Sequence, residues 1–297
     1  MQNKELDYLY KLLKVENIKE NASLKDYSNF KIGGKANFLL FPSSLKICKK
    51  LFKFLNKNAL KYVVLGNATN VLISGDLDIV ISMKKMDLIK KKKNKIYAEC
   101  GVNLFKLNKF ACENSLSGFE YLYGIPASIG GGIVQNCGAY GHNISDHLEK
   151  VIFFDGKKIR KINKEKLEFS YRTSIFKKKK NWIVLGGLFK LNFKSKDAIQ
   201  KIMTEILNTR KENQPYEYPS CGSVFKRYDG IIISKLIDEL GLKGYQIGGA
   251  KVSEKHAGFI INYDNATYED VINLINFVKI KIKIEKNIDL NLEIVLL

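Results

Sequence analysis

Apolar residues recur every three to four positions in several stretches of the chain, which is the spacing of an amphipathic helix. This pattern predicts helices over residues 44–56, from residue 104 onward, over 196–212 and over 231–240. A further short helix is predicted at the start of the chain, with one apolar face made of Leu6, Leu9, Leu12 and Leu13. The last predicted helix begins with a capping signal, Thr267 followed three residues later by Asp270. Its apolar face would be Val271, Leu274, Ile275 and Val278.

Shorter apolar segments between polar turns predict strands. Residues 62–74 have the pattern of a strand, a tight polar loop and a second strand, and other strand-like segments lie within 79–97, 151–154 and 182–191. At the C-terminus the side chains alternate, with Ile288, Leu290, Leu292 and Ile294 on one side and Asp289, Asn291 and Glu293 on the other. We see no internal repeat, and the mixture predicts an α+β fold in which the helix over 196–212 precedes a last domain.

The composition narrows the class of protein. A chain of 297 residues can form two or three domains, and its net charge of +20 is compatible with nucleic-acid binding. The lysines, however, come in runs such as 90–93 and 177–180 between structured segments, in a chain that is also rich in Ile and Asn. We therefore interpret the excess charge as solvated on loops and expect no nucleic-acid partner.

Location and metal content follow from the remaining composition. The first residues alternate charged and apolar positions, and no apolar run is long enough to cross a bilayer, so we expect a cytoplasmic protein without a membrane partner. The five cysteines lack Cys-x-x-Cys spacing, which argues against a zinc site or a disulfide framework. His142 and His147 lie near glycines and have the character of polar loop residues. We predict no metal.

Two glycine loops are candidates for holding a phosphate group. Bare backbone N–H groups can converge on an anion where glycine permits close approach and positive φ. The candidates are residues 66–70 (GNATN) and 124–132 (GIPASIGGG), each beside an apolar segment. Neither matches the dinucleotide or P-loop fingerprint. Tight turns in a β-rich domain and a cofactor that carries a diphosphate both remain open from these residues alone.

Three single residues are candidates for chemistry. Arg172 lies in FSYRTS, on what we predict to be an extended segment, and a guanidinium suits a carboxylate. Its spacing alone favours a surface arginine, although lysine greatly outnumbers arginine in this chain, which favours a function for each arginine. Ser223 follows Gly222 in YPSCGSVFKR, where a hydroxyl is either a turn cap or a proton donor. Glu293, in the alternating C-terminal segment, alone would be an outward-facing carboxylate.

The chain resembles one family along nearly its whole length, the UDP-N-acetylenolpyruvoylglucosamine reductases of peptidoglycan precursor synthesis. Seven stretches carry the resemblance, in order along the chain: NFKIGGKANF (29–38), LGNATNVLIS (65–74), GIPASIGGGIVQNCGAYG (124–141), LEFSYRTS (167–174), QPYEYPSCGSVFK (214–226), LIDELGLKGYQIGGAKVSEKHAGFIIN (236–262) and LNLEIV (290–295). The length resembles that of the shorter subtype, which lacks an inserted tyrosine loop.

The resemblance implies an α+β protein with the FAD-binding fold of the vanillyl-alcohol-oxidase flavoproteins and a third, α+β substrate-binding domain. We expect one FAD-binding subdomain over residues 1–60, with the strand at about 288–297 as a candidate to return to it. A second FAD-binding subdomain would cover 61–195, and the substrate-binding domain would cover 196–287. We expect a monomer whose small-molecule partners are a UDP-sugar and NADPH.

The resemblance also implies a reaction. NADPH would reduce bound FAD, NADP⁺ would leave, and UDP-N-acetyl-3-O-(1-carboxyvinyl)-glucosamine would enter the same site. Hydride from the reduced flavin N5 would then reach the terminal carbon of the enolpyruvyl group, giving UDP-N-acetylmuramate after protonation. Such an oxidoreductase serves cell-wall biogenesis, and through it cell shape and cell division.

Roles for individual residues are implied by the same resemblance. Arg172 and Glu293 would face the substrate carboxylate, and Ser223 would give a proton to the α-carbon. Tyr171, Gln214 and Lys226 would lie near the substrate, Lys226 at its diphosphate. Residues implied to bind FAD are Gly66, Asn67, Ala68, Thr69, Asn70, Gly124, Ile125, Pro126, Ala127, Ser128, Gly130, Gly131, Asn136, Gly138 and Ala139.

Several positions depart from the family pattern. Ala68 and Gly258 stand where glycine and asparagine are usual, Arg227-Tyr228 replaces Asn-Pro after Lys226, and Cys221 replaces alanine. Two alternative functions remain open. A sugar or lactone oxidase of the same fold would share the glycine loops but would not need Arg172, Ser223 and Glu293 in this order. A basic nucleic-acid-binding protein would carry no chromophore and would bind with a steep salt dependence.

Overall fold

The structure, a computed structural model, describes residues 3–297. Its α-helices within these residues are α1 (Asn3–Leu13), α2 (Leu45–Lys57), α3 (Leu104–Glu113), α4 (Ile129–Gln135), α5 (Ile175–Lys178), α6 (Lys196–Asn213), α7 (Ile233–Glu239) and α8 (Tyr268–Lys286). Each helix predicted from apolar spacing is present, with bounds that differ by a few residues. Ser44, Asn103 and Thr267 cap α2, α3 and α8 with their side chains.

The strands are short and follow one another closely. They are β1 (Ile18–Ser23), β2 (Lys35–Leu40), β3 (Val63–Leu65), β4 (Val71–Leu72), β5 (Leu77–Ser82), β6 (Ile89–Lys92), β7 (Lys95–Glu99), β8 (Leu116–Ser117), β9 (Gly138–Ala139), β10 (His142–Asn143), β11 (Leu148–Phe154), β12 (Ile159–Asn163), β13 (Ile183–Lys190), β14 (Asn192–Phe193), β15 (Ser220–Ser223), β16 (Gln246–Ile247), β17 (Ala250–Val252), β18 (Phe259–Asn262) and β19 (Val295–Leu296).

The chain divides into two compact units. Unit 1 comprises residues 1–22, 36–67 and 77–207, and unit 2 comprises 23–35, 68–76 and 208–297. Neither unit is continuous in sequence, because two short segments near the N-terminus belong with the C-terminal part of the chain. The three domain ranges expected from the sequence stay a prediction.

Unit 1 is built on two sheets. One has the strand order β1-β2-β5-β3, with β5 parallel to both β2 and β3. The other has the order β12-β11-β13-β7-β6 and is antiparallel. The largest fully buried side chains of unit 1 include Phe52, Phe119, Phe154 and Phe189. The first glycine-rich segment leaves β3, and the second follows β8 and leads into α4.

Unit 2 holds an antiparallel sheet of order β15-β18-β17-β16, covered by α8. The predicted cap of α8 is a full capping box, in which the Thr267 and Asp270 side chains each accept from the other's backbone N–H. The predicted apolar face, including Val271 and Val278, is buried. A separate parallel pair joins β19 to β4.

Three expectations about local structure need correction or refinement. The lysines of 90–92 lie in β6, an edge strand, and Lys177 and Lys178 lie in α5, so these parts of the runs are not loop charge as predicted. Lys93, Lys179 and Lys180 lie in turns or loops, as predicted. Unpaired edges attract other strands, and lysine blunts that tendency. The alternating C-terminus buries Ile288, Leu290 and Ile294 as predicted, but Leu292 and Glu293 are both half-buried. Regular strand is confined to β19.

No helix within residues 3–297 combines the length and the apolar character needed to cross a membrane. In the same range, no group of three or more His, Cys, Asp or Glu side chains is arranged to hold a metal ion.

Candidate active site

In unit 1 the first glycine loop meets the start of α4. A Cβ added to Gly66 would lie 2.1 Å from the Ser128 Oγ atom, so only glycine fits between β3 and this helix. The Asn67 side chain donates to the Pro126 carbonyl at 2.9 Å. Ser128 caps α4 and accepts a hydrogen bond from the Gly131 N–H. The structure therefore brings together residues from both predicted FAD-binding loops.

The first loop also leaves backbone donors open. Among residues 3–297, the backbone N–H groups of Asn67, Ala68 and Thr69 have no hydrogen-bond acceptor. The carbonyl of Ala68, in contrast, accepts from the Asn29 N–H at 3.1 Å. Unpartnered N–H donors on a loop with little side chain suit the oxygens of a diphosphate. These residues thus fit the anionic part of FAD.

The second loop contributes mainly by shape. Gly124 has a φ of +85°. The N–H of Gly130 donates to the Cys100 carbonyl, and a Cβ on Gly130 would lie 2.9 Å from the Cys100 Cβ. The backbone here is therefore held against the protein, and its glycines remove bulk rather than supply a row of free donors. Ile125, Pro126 and Ala127 connect these positions, with Ala127 accepting from Leu104.

Asn136, Gly138 and Ala139 follow the end of α4. Asn136 is the C-cap residue, left-handed with a φ of +47°, and only 4% of its surface is exposed. Gly138 and Ala139 form β9, which pairs with β10 in a small hairpin. A Cβ on Gly138 would lie 2.3 Å from the His142 carbonyl oxygen, so glycine is required for that pairing.

Arg172 lies in a tight turn, and the expected extended conformation is wrong. Ser170 and Thr173 exchange two backbone hydrogen bonds across the turn, and Arg172 has a φ of +53°. One guanidinium nitrogen, Nη2, donates to the Gly138 carbonyl at 3.0 Å. The guanidinium carbon lies 5.1 Å from the centre of the exposed Tyr171 ring. Lys177 holds the turn from the other side by donating to the Arg172 carbonyl.

Ser223 ends β15 in unit 2, directly after a bulge. Ser220 pairs with Ile261 and Ser223 with Phe259, so β15 has one more residue than β18 between these pairs. Gly222 is the left-handed residue of the bulge, with a φ of +76°. Open space surrounds the position of its missing Cβ, so glycine is there for its backbone conformation. Beyond Ser223, the Val224 N–H donates to the Gly258 carbonyl.

Glu293 lies beside this strand end. Its N–H donates to the Val224 carbonyl at 2.8 Å, and its carbonyl accepts from the Asn70 side chain at 3.1 Å. The Lys226 N–H donates to the Asn291 carbonyl at 2.9 Å. Unit 2 therefore brings Ser223, Lys226 and Glu293 together with Asn70 of the first loop. Glu293 is half-buried rather than fully outward-facing.

The remaining predicted residues are placed as follows. Tyr171 and Arg172 belong to unit 1, whereas Gln214, Ser223, Lys226 and Glu293 belong to unit 2. Gln214 follows α6 and donates its N–H to the Arg210 carbonyl at 2.8 Å. A turn over residues 215–218 separates it from β15. The convergence of Arg172 with Ser223 and Glu293 stays a prediction.

Two residues near Ser223 have structural roles. Cys221 is buried, its Sγ donates to the Val71 carbonyl, and burial raises the pKa of its thiol to about 12. It behaves as a small filler, not as a reactive thiol. His256, which the prediction omitted, accepts from the Gly258 N–H through Nδ1 at 3.1 Å. The only sequence signal for His256 was its place in the stretch KHAGF.

The comparisons with known proteins agree with one another. Residues 36–157 match the family described as FAD binding domain, and residues 214–297 match the family described as UDP-N-acetylenolpyruvoylglucosamine reductase, C-terminal domain. A UDP-N-acetylenolpyruvoylglucosamine reductase of Fervidobacterium nodosum is 43% identical over 92% of this chain and 90% of its own length. The chain belongs to the UDP-N-acetylenolpyruvoylglucosamine reductase family.

The solved structures support the same assignment. The UDP-N-acetylenolpyruvylglucosamine reductase from Thermus caldophilus is 32% identical, with a TM-score of 0.79 over 93% of this chain and 97% of its own length. A glucose dehydrogenase, Phl p 4.0202, is 13% identical with a TM-score of 0.52 over 64% of this chain and 44% of its own, which shows a shared fold alone. The predicted FAD-binding fold is confirmed.

Membership of this family confirms the coarse function predicted from the sequence. The chain is an FAD-dependent oxidoreductase of peptidoglycan precursor synthesis, with NADPH as the reductant. The two alternative functions, a sugar oxidase of the same fold and a nucleic-acid-binding protein, are not supported, because the relative from Fervidobacterium nodosum is 43% identical over 92% of this chain.

Proposed function

We propose that Arg172, Ser223 and Glu293 carry out the chemistry by which this chain reduces the enolpyruvyl group of a UDP-sugar to a lactyl ether. When bound, FAD takes hydride from NADPH and supplies it to the terminal carbon of the enolpyruvyl double bond. The chain's own residues must then manage charge at the carboxylate and a proton at the α-carbon. The adjacency of Ser223 and Glu293 on neighbouring backbone segments of unit 2 is the observation that best supports this proposal.

Arg172 stabilises the charge that develops on the substrate carboxylate. Adding hydride to a double bond conjugated with a carboxylate pushes negative charge onto its oxygens. A donor aimed at that charge binds the transition state more tightly than the substrate and so lowers the barrier. Arg172 has a left-handed φ that is costly for any residue with a Cβ. Strain retained at one arginine, in a chain with only four, supports a functional role for this side chain.

Glu293 is proposed to act beside the same carboxylate, either as a neutral acid that donates to it or as the group that orients Arg172. A second anion next to a growing anion would be repelled, whereas a neutral carboxylic acid can donate a hydrogen bond to it. The hydrogen bonds of the Glu293 backbone to Val224 and Asn70 fix where this side chain begins.

Ser223 gives the proton to the α-carbon. After hydride addition the substrate is a doubly charged enolate, which is basic enough to take a proton even from a hydroxyl group. Gly222 has no side chain to shield this hydroxyl, and the bulge turns the strand end at the right residue. Proton transfer from a positioned side chain is worth about 10²- to 10⁴-fold in rate.

The residues that would hold FAD are the two glycine loops. The open N–H groups of Asn67, Ala68 and Thr69 suit its diphosphate, and Gly66 and Gly130 remove bulk where the backbones approach. The remaining members of the predicted set, from Asn70 and from 124–131 to Ala139, are proposed to complete this site. Asn136 would contribute its backbone to it, because its side chain donates to the Ser170 carbonyl. For the substrate we propose Lys226 at the diphosphate, with Tyr171 and Gln214 close by.

Ser223→Ala tests the assignment of the proton donor. We expect the variant to keep FAD and its reduction by NADPH, while reoxidation of the reduced enzyme by the enolpyruvyl UDP-sugar slows by about 10²- to 10⁴-fold. Anaerobic stopped-flow absorbance of the flavin measures both half-reactions separately. Ser220→Ala, in the same strand, is the matched control and should change neither. Equal slowing of both half-reactions by Ser223→Ala would contradict the role.

We also propose that the enzyme is a cytoplasmic monomer. The edge strands of the larger sheet in unit 1, β6 and β12, carry lysine and arginine, which disfavours pairing with a second copy through these edges. Light scattering coupled to size exclusion gives the mass in solution directly. A mass of twice 33.9 kDa would reject the monomer. Cell fractionation against a cytoplasmic marker tests the location.

A further inference from the structure

Asn136 is an unusual choice for its place in the fold. It ends α4 in the left-handed conformation, where glycine is the least strained residue. It is also 4% exposed, and its Oδ1 atom is buried without a hydrogen-bond partner among residues 3–297. Glycine would satisfy the same backbone without burying an unpaired polar atom. The cap alone therefore does not account for asparagine here.

The other end of the same side chain has a defined partner. The Asn136 Nδ2 donates to the Ser170 carbonyl at 3.0 Å. That carbonyl also accepts the Thr173 N–H, at 3.1 Å, which closes the turn around Arg172. Asn136 thus binds the base of the turn from outside it. The opposite orientation of the amide would place Oδ1 against the Ser170 carbonyl, where two acceptors repel each other.

Two further hydrogen bonds join the same two segments. The Ser174 Oγ donates to the Val134 carbonyl at 2.7 Å, and the Arg172 Nη2 donates to the Gly138 carbonyl at 3.0 Å. Residues 170, 172 and 174 are therefore each joined to a residue of 134–138. Of these bonds, the one from Asn136 alone uses a side chain of the α4 segment to grip the backbone of the turn.

We propose that Asn136 is a positioning residue for Arg172. By fixing the Ser170 carbonyl it holds the turn that keeps Arg172 left-handed, and so sets the point from which the guanidinium reaches the substrate carboxylate. Sequence resemblance had placed Asn136 only among the FAD-binding residues. This inference rests on the proposed role of Arg172, and it predicts that loss of the Asn136 side chain impairs the reaction step that needs that arginine.

Asn136→Gly is the first test, because glycine suits the left-handed backbone and removes only the side chain. A displacement of about 1 Å can cost about 10²-fold in rate. We expect flavin reoxidation by the enolpyruvyl UDP-sugar to slow about 10- to 100-fold, while FAD content and reduction by NADPH stay within about twofold. Asn287→Gly is the matched control, since Asn287 is also a left-handed C-cap, of α8, and is exposed. It should change neither half-reaction.

Asn136→Asp provides a second variant if the glycine variant folds poorly. Aspartate tolerates the left-handed backbone but replaces the Nδ2 donor with an acceptor facing the Ser170 carbonyl. We expect the same selective slowing of reoxidation. Slowing of both half-reactions together with loss of FAD would overturn the proposal and make Asn136 a cofactor ligand. Unchanged reoxidation in both variants would also overturn it.

A double-variant cycle with Arg172→Ala separates positioning from general destabilisation. If Asn136 acts through Arg172, the double variant should reoxidise no more slowly than Arg172→Ala alone, because the guanidinium is already gone. Multiplying losses would contradict the proposal, since they would mean independent action. If Arg172→Ala itself reoxidised at the normal rate, the role of Arg172 would fail instead, which is a different and recognisable result.

Discussion

The Arg172 turn and the Ser223 bulge differ in which residue adopts the left-handed conformation. Both present a polar side chain from a backbone that includes a left-handed residue. In the bulge that residue is Gly222, next to Ser223, so the functional residue itself is relaxed. In the turn Arg172 itself is left-handed. The bulge can therefore hold its shape with little help, whereas the turn depends on bonds from Asn136, Ser174 and Lys177.

Among the changes that compare the turn with the bulge, the largest effect on flavin reoxidation is expected at Arg172, where two variants separate the loss of the guanidinium from the relief of backbone strain. Arg172→Gly and Arg172→Ala both remove the guanidinium, so both should slow flavin reoxidation by the substrate about 10²- to 10³-fold. Only glycine also relieves the left-handed strain, which is worth about 1–2 kcal/mol. We expect the glycine variant to be at least as stable as the alanine variant in urea unfolding, even though it is equally slow.

Arg160→Ala is the control for loss of an arginine. Arg160 pairs with Asp155 at the edge strand β12, and its removal should leave both half-reactions unchanged. If Arg172→Gly reoxidised within about tenfold of the normal rate, the guanidinium would not be the charge-stabilising donor that we assign.

A second, smaller effect is expected when the bulge is given the same strain as the turn. Gly222→Ala puts a Cβ on a residue with a φ of +76° but in open space, so only backbone strain opposes it. We expect a loss of about 1 kcal/mol in the free energy of unfolding and about tenfold slower reoxidation, because Ser223 shifts with the bulge. Urea titration and stopped-flow absorbance measure the two.

Gly75→Ala is matched to this change. Gly75 also has open space around its missing Cβ, lies in unit 2, and does not have a left-handed φ. It should be neutral or gain up to about 1 kcal/mol, because alanine restricts the unfolded chain. An equal loss at both positions would show that the bulge conformation is not the cause.

This contrast also marks what the sequence could and could not predict. Periodicity predicted six of the eight α-helices in residues 3–297, including the cap and buried face of α8, because those features depend on residues close in sequence. It missed the short helices α4 and α5. It made Arg172 part of an extended segment, since one left-handed residue leaves no trace in an apolar pattern. The bonds from 134–138 to 170–174 join residues about 35 positions apart, which spacing alone cannot reveal.

The lysine runs teach the same point at the level of sheets. Residues 90–92 lack apolar alternation, which made them resemble loop residues. In the structure they form an edge strand that pairs with β7. Glu293 differs again: alternation predicted an outward-facing carboxylate, whereas the residue is half-buried. Its backbone partners Val224 and Asn70 could not be predicted without the fold.

A pH dependence is expected for the bulge, through His256. Burial, with a further contribution from the nearby Lys243 charge, lowers the pKa of His256 below its usual value of about 6.5. The unfolded chain then binds the proton more readily, so stability is fully present above about pH 6.5 and falls as the pH drops below that value. Protonated Nδ1 also cannot accept from Gly258, whose carbonyl supports Val224.

The test compares unfolding of the normal protein and His256→Gln in urea at pH 7.5 and pH 5.0. Glutamine stays neutral throughout this range, so the variant should lose less stability on acidification than the normal protein, whatever its stability at pH 7.5. Equal losses of stability in the two proteins would show that His256 does not cause the pH dependence. The Arg172 turn has no such buried histidine acceptor among its described contacts.

The smallest effect is expected at Ala68, a left-handed residue whose side chain has no proposed chemistry. Its φ of +50° resembles that of Arg172, but its side chain is only a methyl group. Ala68→Gly relieves about 1 kcal/mol of backbone strain and costs about the same through the greater entropy of the unfolded chain, so the free energy of unfolding should change by less than about 1 kcal/mol.

The same substitution should strengthen FAD binding, because without the Cβ the loop can approach FAD more closely. We expect FAD to bind about two- to fivefold more tightly in fluorescence titration of the apoprotein, which corresponds to about 0.4–1 kcal/mol. Ala127→Gly is the control, because Ala127 is not left-handed and glycine there only raises the conformational entropy of the unfolded chain. If both substitutions tightened FAD binding equally, side-chain bulk would be responsible. Tightening confined to Ala68 would show that a left-handed residue without a functional side chain is a cost, and that the same cost at Arg172 is retained for its guanidinium.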